Sequence, residues 1–284
     1  MMQVECIIKL GGSAVTAKDH LETEKLDEIR KFAELLKLQI LSERRIILVH
    51  GAGSFGHFQA KEYGVAQGYH SNKGDAQNGR AKMGFCKTRV SVTKLNHIIV
   101  NEFVSQGVNA VGVSPCGGWV TDHGSVVQSD TASIQNLLVE GYQPVMHGDC
   151  VLDRHQGCTI LSGDTIIEKL CSVFEPKRVI FLTDIDGVYD KPPSHPDAQL
   201  LPVIKVTHDG CLSVPVATTQ QAHDVTGGIL KKLSTATSIV TESKGFTTVF
   251  VCRINSSAAS NLITHGELLG ELGTEIKMQF REDV

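Results

Sequence analysis

The sequence predicts an α/β fold, a three-layer αβα sandwich around a mainly parallel central sheet. Three observations predict it. Short apolar runs alternate with segments of helical spacing along the chain. Most of these runs are apolar on both faces, as strands covered by helices on either side require. Glycine turns follow the runs or open the helices after them, the pattern of a parallel sheet whose carboxyl edge holds a ligand.

The elements are justified in order. Residues 4–10 read as a buried strand ending in Gly11-Gly12-Ser13. Leu26, Ile29, Phe32, Ala33, Leu35 and Leu36 give residues 21–41 a helical period. Residues 46–49 form a second strand, stopped by Gly51-x-Gly53-x-x-Gly56 with His57 next. Residues 80–104 read as a long helix and 110–113 as a strand. A hairpin is expected at 119–127 and a helix at 130–139. "PVMHGD" is a strand running into a glycine turn, and "VLDRHQGCTIL" a second hairpin in which Cys150 and Cys158 face across as plain apolar residues. Ser162 is placed to cap the helix that begins "SGDTIIEKL". Residues 178–183 are a buried strand leading into "DIDGVYD". "YDKPPSHPDAQLLP" is the most loop-like stretch and the hinge or lid candidate. A glycine-led helix, "GGILKKLSTATSIV", precedes a strand at 248–252, a short helix, and a strand at 275–280.

The totals exclude several classes. Of 284 residues, 41% are hydrophobic and 20% charged, and the net charge is −4, so nothing global draws the chain to nucleic acid or an anionic membrane. No apolar run approaches the roughly 20 residues of a membrane span. No basic segment followed by a long apolar one opens the chain, so no secretory signal is expected. Eight cysteines without a C-x-x-C pair read as reduced thiols of a cytoplasmic protein.

The glycines of "HGAGSFGH" match the dinucleotide fingerprint only in spacing. That motif needs a helix, then a second apolar strand ending in an acid about 20 residues on. Asp75 is at that distance, but polar, glycine-broken sequence precedes it. The P-loop pattern is absent from the chain. What remains is a set of glycine turns, after Leu10, His50 and His147 and at the heads of two helices, several with lysine or histidine nearby. Bare backbone amides and helix N-termini gathered at one edge suit a multiply charged phosphate.

"IIKLGGS", "HGAGSFGH", "SGD", "LTDIDGVY" and "TGGILKKL" occur in this order over essentially the whole chain. Together they resemble the amino acid kinase superfamily. His57 and Lys18, nine residues after Lys9, resemble the isopentenyl phosphate kinases within it. The resemblance implies transfer of a phosphoryl group from ATP to isopentenyl phosphate, in isoprenoid biosynthesis. It also implies an acceptor lobe at 1–175 and a nucleotide lobe at 176–284 sharing one sheet, and a homodimer formed through the acceptor lobe. Fosfomycin kinases share the histidine. A phosphonate or acyl-carboxylate acceptor, or a catalytically silent sensor, therefore stays open.

Phosphoryl transfer asks for alignment and positive charge rather than covalent chemistry. Lys9 is a lysine in an otherwise apolar strand, costly to bury unless it meets an anion. By the resemblance it grips the donor phosphates, with Leu10, Gly11, Gly12, Ser13 and Gly53 around ATP. Lys18 would stabilise the group in transfer. His57 would bind and align the acceptor, driven toward its charged form by bound phosphates. Ala52 and Gly163 would touch the acceptor, and Asp164 would hold Lys9 and Lys231 by ion pairing. Asp184 would sit by ATP, with Gly227 and Lys231 at the head of the facing helix. His50 and His147 read as structural. Asp184, Asp186 and Asp190 fail the calcium-loop spacing, so no protein-bound metal is expected and Mg²⁺ would arrive with ATP. Met83, Phe85, Cys86 and Val90 could wall an apolar slot, while Arg80 and Arg89 suit a carboxylate-bearing acceptor.

Overall fold

The computed structural model describes residues 4–40, 44–69, 74–214 and 228–280. The chain begins with β1 (Cys6–Leu10), α1 (Gly12–Val15), α2 (Leu26–Ile40), β2 (Ile46–His50), α3 (His57–Tyr63), α4 (Asp75–Ser105) and β3 (Ala110–Val113). It continues through β4 (Val120–Asp122), β5 (Ser125–Gln128), α5 (Ala132–Val139), β6 (Gln143–His147), β7 (Asp149–Asp153), β8 (Gly157–Leu161) and α6 (Gly163–Phe174). The last third holds β9 (Arg178–Thr183), β10 (Val203–Val206), α7 (Gly228–Glu242), β11 (Thr248–Arg253), α8 (Ser257–Thr264) and β12 (Thr274–Met278).

Eight strands form one sheet in the order β10-β12-β11-β9-β1-β2-β6-β3. The six from β11 to β3 are parallel neighbours, and β12 runs antiparallel to β11. All residues of β1, β2, β6 and β9 are buried, which explains their lack of alternation in the sequence. Ile7, Ile47 and Val179 face α5, α6 and α7 in one apolar layer. Ile8, Leu48 and Ile180 face α1, α2, α4 and α8 in the other. A four-stranded sheet, β5-β4-β7-β8, stands beside the main one. Between it and α3 and α4 lies a small apolar cluster that includes Val65, Cys150 and Cys158, with Tyr63, Tyr69, Phe85 and Ile160 packed on it. Both cysteines are buried and unbridged, as apolar cross-strand residues would be.

Three elements were not expected: the one-turn α1, the seven-residue α3, and β10. α1 begins in a glycine and α3 directly follows one, residues whose propensity argues against helix; packing decides instead. The proline-rich stretch between β9 and β10 is tied at its neck. Leu201 N donates to Val188 O at 2.8 Å and Asp190 N to Gln199 O at 3.0 Å.

The apolar slot expected on α4 is corrected. Met83, Cys86 and Val90 lie on the outer face, Met83 and Val90 being 54% and 71% exposed. Only Phe85 joins the apolar cluster. In the first half of α4 the buried face is made of Ala81, Gly84, Thr88, Ser91 and Val92; Leu95, Ile99 and Phe103 continue it into the core. Small residues are needed there because α3 crosses closely: a Cβ on Gly84 would come 2.2 Å from Tyr63 Cβ. Reading for apolar residues picked the wrong side of a helix half whose buried stripe is small rather than greasy.

Candidate active site

The site is built where the strands end. Gly11 N donates to Leu182 O, Gly51 N to Leu10 O and Gly148 N to His50 O, at 2.8, 2.9 and 3.0 Å. Each glycine turn is thus stitched to the end of the neighbouring strand, and the turns lie side by side. The first two touch through backbone alone. A Cβ on Gly12 would meet Gly53 N at 2.7 Å, and one on Gly51 would meet Gly12 N at the same distance. Gly53 also adopts φ +50°, where a side chain would run into Thr16. Thr16, fully buried, braces both turns: its Oγ1 donates to Gly12 O at 2.8 Å and accepts from Ser54 N at 3.1 Å. A threonine in a polar segment gives the sequence reader no signal of this work.

The amides of Gly12, Ala52, Gly53 and Gly163 donate to no protein acceptor among the described residues. Two of them converge. The point where Gly148 would carry a Cβ is 3.5 Å from Gly163 N and 3.7 Å from Ala52 N. Gly163 is also the first residue of α6, whose dipole adds positive potential at that spot. Ser162 caps the helix as expected, accepting from Thr165 N at 3.2 Å.

Lys9 reaches the same place from within β1. It is 5% exposed, and a Cβ on Gly163 would come 3.3 Å from its Cε. Its Nζ pairs with Asp164 Oδ1 at 2.5 Å, in the first turn of α6. Burial pulls the ammonium pKa down to about 8; Asp164 opposes this, while the charges of Lys232 and Lys231 add to it. The lysine is therefore poised for an anion that would raise its pKa again. Lys231 lies exposed in the first turns of α7 and forms no ion pair with Asp164 among the described residues. Gly227 lies outside the described residues.

Beyond β9 the chemistry changes. Asp184 accepts from Ser13 Oγ at 2.8 Å and pairs with Lys18 at 3.2 Å, holding its carboxyl below the usual range despite partial burial. Lys18 is thus parked on Asp184. Asp186 pairs with Arg253 at 2.7 Å, and Asp190 accepts from Gln199 N at 2.7 Å. The three acids of "DIDGVYD" each have their own partner, and no group of three or more potential metal ligands occurs among the described residues.

His57 opens α3. It is exposed, yet the protein around its ring lowers the imidazole pKa by desolvation. The free protein therefore presents a neutral imidazole; a charged form would have to be drawn out by bound anions. The two α4 arginines are committed elsewhere. Arg89 Nη1 bonds Asp149 Oδ2 at 2.6 Å and Ser114 Oγ at 3.1 Å. Arg80 donates to Glu62 O at 2.6 Å and lies over the Tyr63 ring.

Lys9, Leu10, Gly11, Gly12, Ser13, Ala52, Gly53, Gly163 and Asp164 thus cluster at one edge. Lys18 and Asp184 adjoin it through Ser13.

The amino acid kinase family matches residues 5–253. The chain is 38% identical to the isopentenyl phosphate kinase of Arabidopsis thaliana, over 83% of this chain and 84% of that one. It is 36% identical to the isopentenyl phosphate kinase of Methanothermobacter thermautotrophicus, over 80% and 84%. An X-ray structure of an isopentenyl phosphate kinase superposes with a TM-score of 0.78 at 29% identity, covering 96% of this chain and 99% of that one.

Proposed function

The chain belongs to the amino acid kinase family, and from that premise we propose that it transfers the γ-phosphoryl group of ATP to isopentenyl phosphate, giving isopentenyl diphosphate and ADP. One observation carries the acceptor choice. His57 opens α3, and the same helix packs Ala60 and Tyr63 on an apolar cluster, so a phosphate head held at the start of α3 would leave a hydrocarbon tail next to apolar side chains. The engagement of Arg89 and Arg80 speaks against a carboxylate acceptor. The names of the relatives support the same reading.

In this reading residues 1–175 hold the acceptor and 176–284 the nucleotide, across the single sheet. Ala52, Gly163 and His57 hold the acceptor phosphate. Gly12 and Gly53 offer amides and Ser13 a hydroxyl to ATP, beside Gly11 whose amide stays on Leu182, with Asp184, Gly227 and Lys231 on the far side. Lys9 sits between the two reactants. A phosphate oxygen attacks directly and needs no strong base, so the protein's task is alignment and charge. Asp164 keeps Lys9 aimed. Lys18 leaves Asp184 for the oxygens in flight. Asp164 and Asp184 are each engaged by a lysine; Mg²⁺ would arrive with ATP, held mostly by phosphate oxygens and water, and would supply charge neutralisation there. The working unit is a cytoplasmic homodimer.

An ADP-release assay over isopentenyl phosphate, fosfomycin, acetylglutamate and UMP tests this. Turnover should be fastest with isopentenyl phosphate; silence with every acceptor would leave a sensor. Replacing His57 with Ala should weaken transition-state binding by roughly 2–4 kcal/mol, as the loss of one positioned donor does, and unchanged kinetics would remove His57 from the site.

A further inference from the structure

Beneath the Ala52 amide sit two histidines for which the mechanism above has no task. His50 and His147 end the adjacent strands β2 and β6 in register. They are 0% and 1% exposed, with rings stacked at 5.6 Å and 23°. Each ring's Nδ1 lies 3.1 Å from the carbonyl oxygen of the glycine that follows it, Gly51 or Gly148. A carbonyl only accepts, so the proton belongs on Nδ1. The other nitrogen of His50 agrees, because Asn96 Nδ2 stands 3.1 Å from Nε2 as a donor and 3.2 Å from Val145 O. Burial drives the pKa of His50 down to about 3 and lowers that of His147, so both rings are neutral donors around neutral pH.

The peptide geometry transmits this outward. A trans peptide sets its carbonyl and the following N–H in opposite directions, and the described residues contain no cis bond. Drawing Gly51 O inward to His50 therefore turns the Ala52 N–H outward, where Gly163 N also faces the space over Gly148. Gly51 N is already fixed to Leu10 O. The turn is thus held from both sides.

We propose that His50, stacked on His147 and braced by Asn96, is a positioning residue that aims the Ala52 amide at the acceptor phosphate. The proposal rests on reading this rim as the acceptor site. Asn96 belongs to α4, so the device ties the acceptor layer to the second glycine turn.

Isotope-labelled protein titrated with inorganic phosphate, and separately with isopentenyl phosphate, tests it. Long-range nitrogen spectra should show His50 protonated on Nδ1, and the Ala52 and Gly163 amide resonances should both move with either phosphate. In His50→Leu the Ala52 response should vanish while that of Gly163 remains. KM for isopentenyl phosphate should rise roughly tenfold or more, the usual penalty of misplacement, with KM for ATP unchanged. His50→Asn, whose Nδ2 takes the place of the ring Nδ1, should recover both. A proton on Nε2 of His50 overturns the proposal. So does a wild-type Ala52 amide that ignores phosphate, a Leu variant with normal acceptor KM, or an Asn variant with no Ala52 response. Should the Leu variant not fold, the tautomer and the Asn variant decide. Wild-type protein that leaves isopentenyl phosphate unphosphorylated defeats the functional reading alone, since the response to inorganic phosphate still judges this one.

Discussion

At the ends of β1, β2 and β6 the chain offers an anion backbone amides and one buried lysine; at the ends of β9 and β11 it offers charged side chains. The first region is stitched by the sheet's own ladder, and its glycines touch with no side chain between them. The second is a set of partly exposed ion pairs, with Lys18 68% and Arg253 48% exposed. Fixed amides do not reorganise when charge moves, which suits the place where two phosphates must be aligned. Exposed pairs are worth only about 0–1 kcal/mol, so they exchange partners easily. That suits a lysine which must let go of Asp184 to follow a moving group.

The contrast is broken most directly at Lys9. Lys9→Met leaves Asp164 buried without its cation, a loss of about 3–5 kcal/mol, and should lower kcat roughly a thousandfold. Adding Asp164→Asn should restore stability but not activity; unfolding curves and the ADP assay read the two separately. Retained activity in the single variant would deny the buried side its role. The pH profile probes the same group. The free protein should lose kcat/KM for ATP as pH rises through about 8, where Lys9 gives up its proton. The kcat plateau should extend higher, because bound phosphates favour the ammonium. The sign for stability is opposite. The unfolded chain keeps that proton to about 10.5, so Lys9's contribution to stability improves with pH between the two values, as denaturant titrations should show.

Gly148→Ala is the next step down. The added carbon meets its neighbours at 3.5 Å, ordinary contact, but it stands where the two amides converge. We expect the melting temperature to hold within a few degrees while KM for the acceptor rises roughly tenfold to a hundredfold. A normal KM would move the acceptor phosphate elsewhere. On the side-chain region the effects should shrink. Lys18→Ala should change stability by less than about 0.5 kcal/mol yet slow kcat about tenfold, a split visible by comparing calorimetry with turnover. Arg253→Ala should cost about 0.2–1 kcal/mol in stability and leave turnover within about twofold; a larger kinetic effect would erase the distinction between the two regions.

What the sequence revealed follows the same division. Fully buried strands stopped by glycine are loud signals, and Arg178–Thr183 matches its expected bounds at both ends. Lys9 stood out because a charge in an apolar run needs a reason. The Ser162 cap was readable because its rule is local. Contacts between distant segments were not readable. Nothing in the text of the chain links Thr16 to Ser54, Lys18 to Asp184, or His50 to Asn96. The inward face of α4 was misread because close helix crossing selects small residues there, and small residues carry little hydrophobic signal.

The contact between Gly12 and Gly53 has an evolutionary consequence. Neither residue can take on a side chain without forcing the two turns apart. Point mutation therefore has no gradual handle on this seam, and a lineage drifting toward a new acceptor is left to experiment elsewhere in the α3–α4 layer. Diversification of appetite would then be written in the helices, away from their close crossing at Gly84, while the seam itself stays mute.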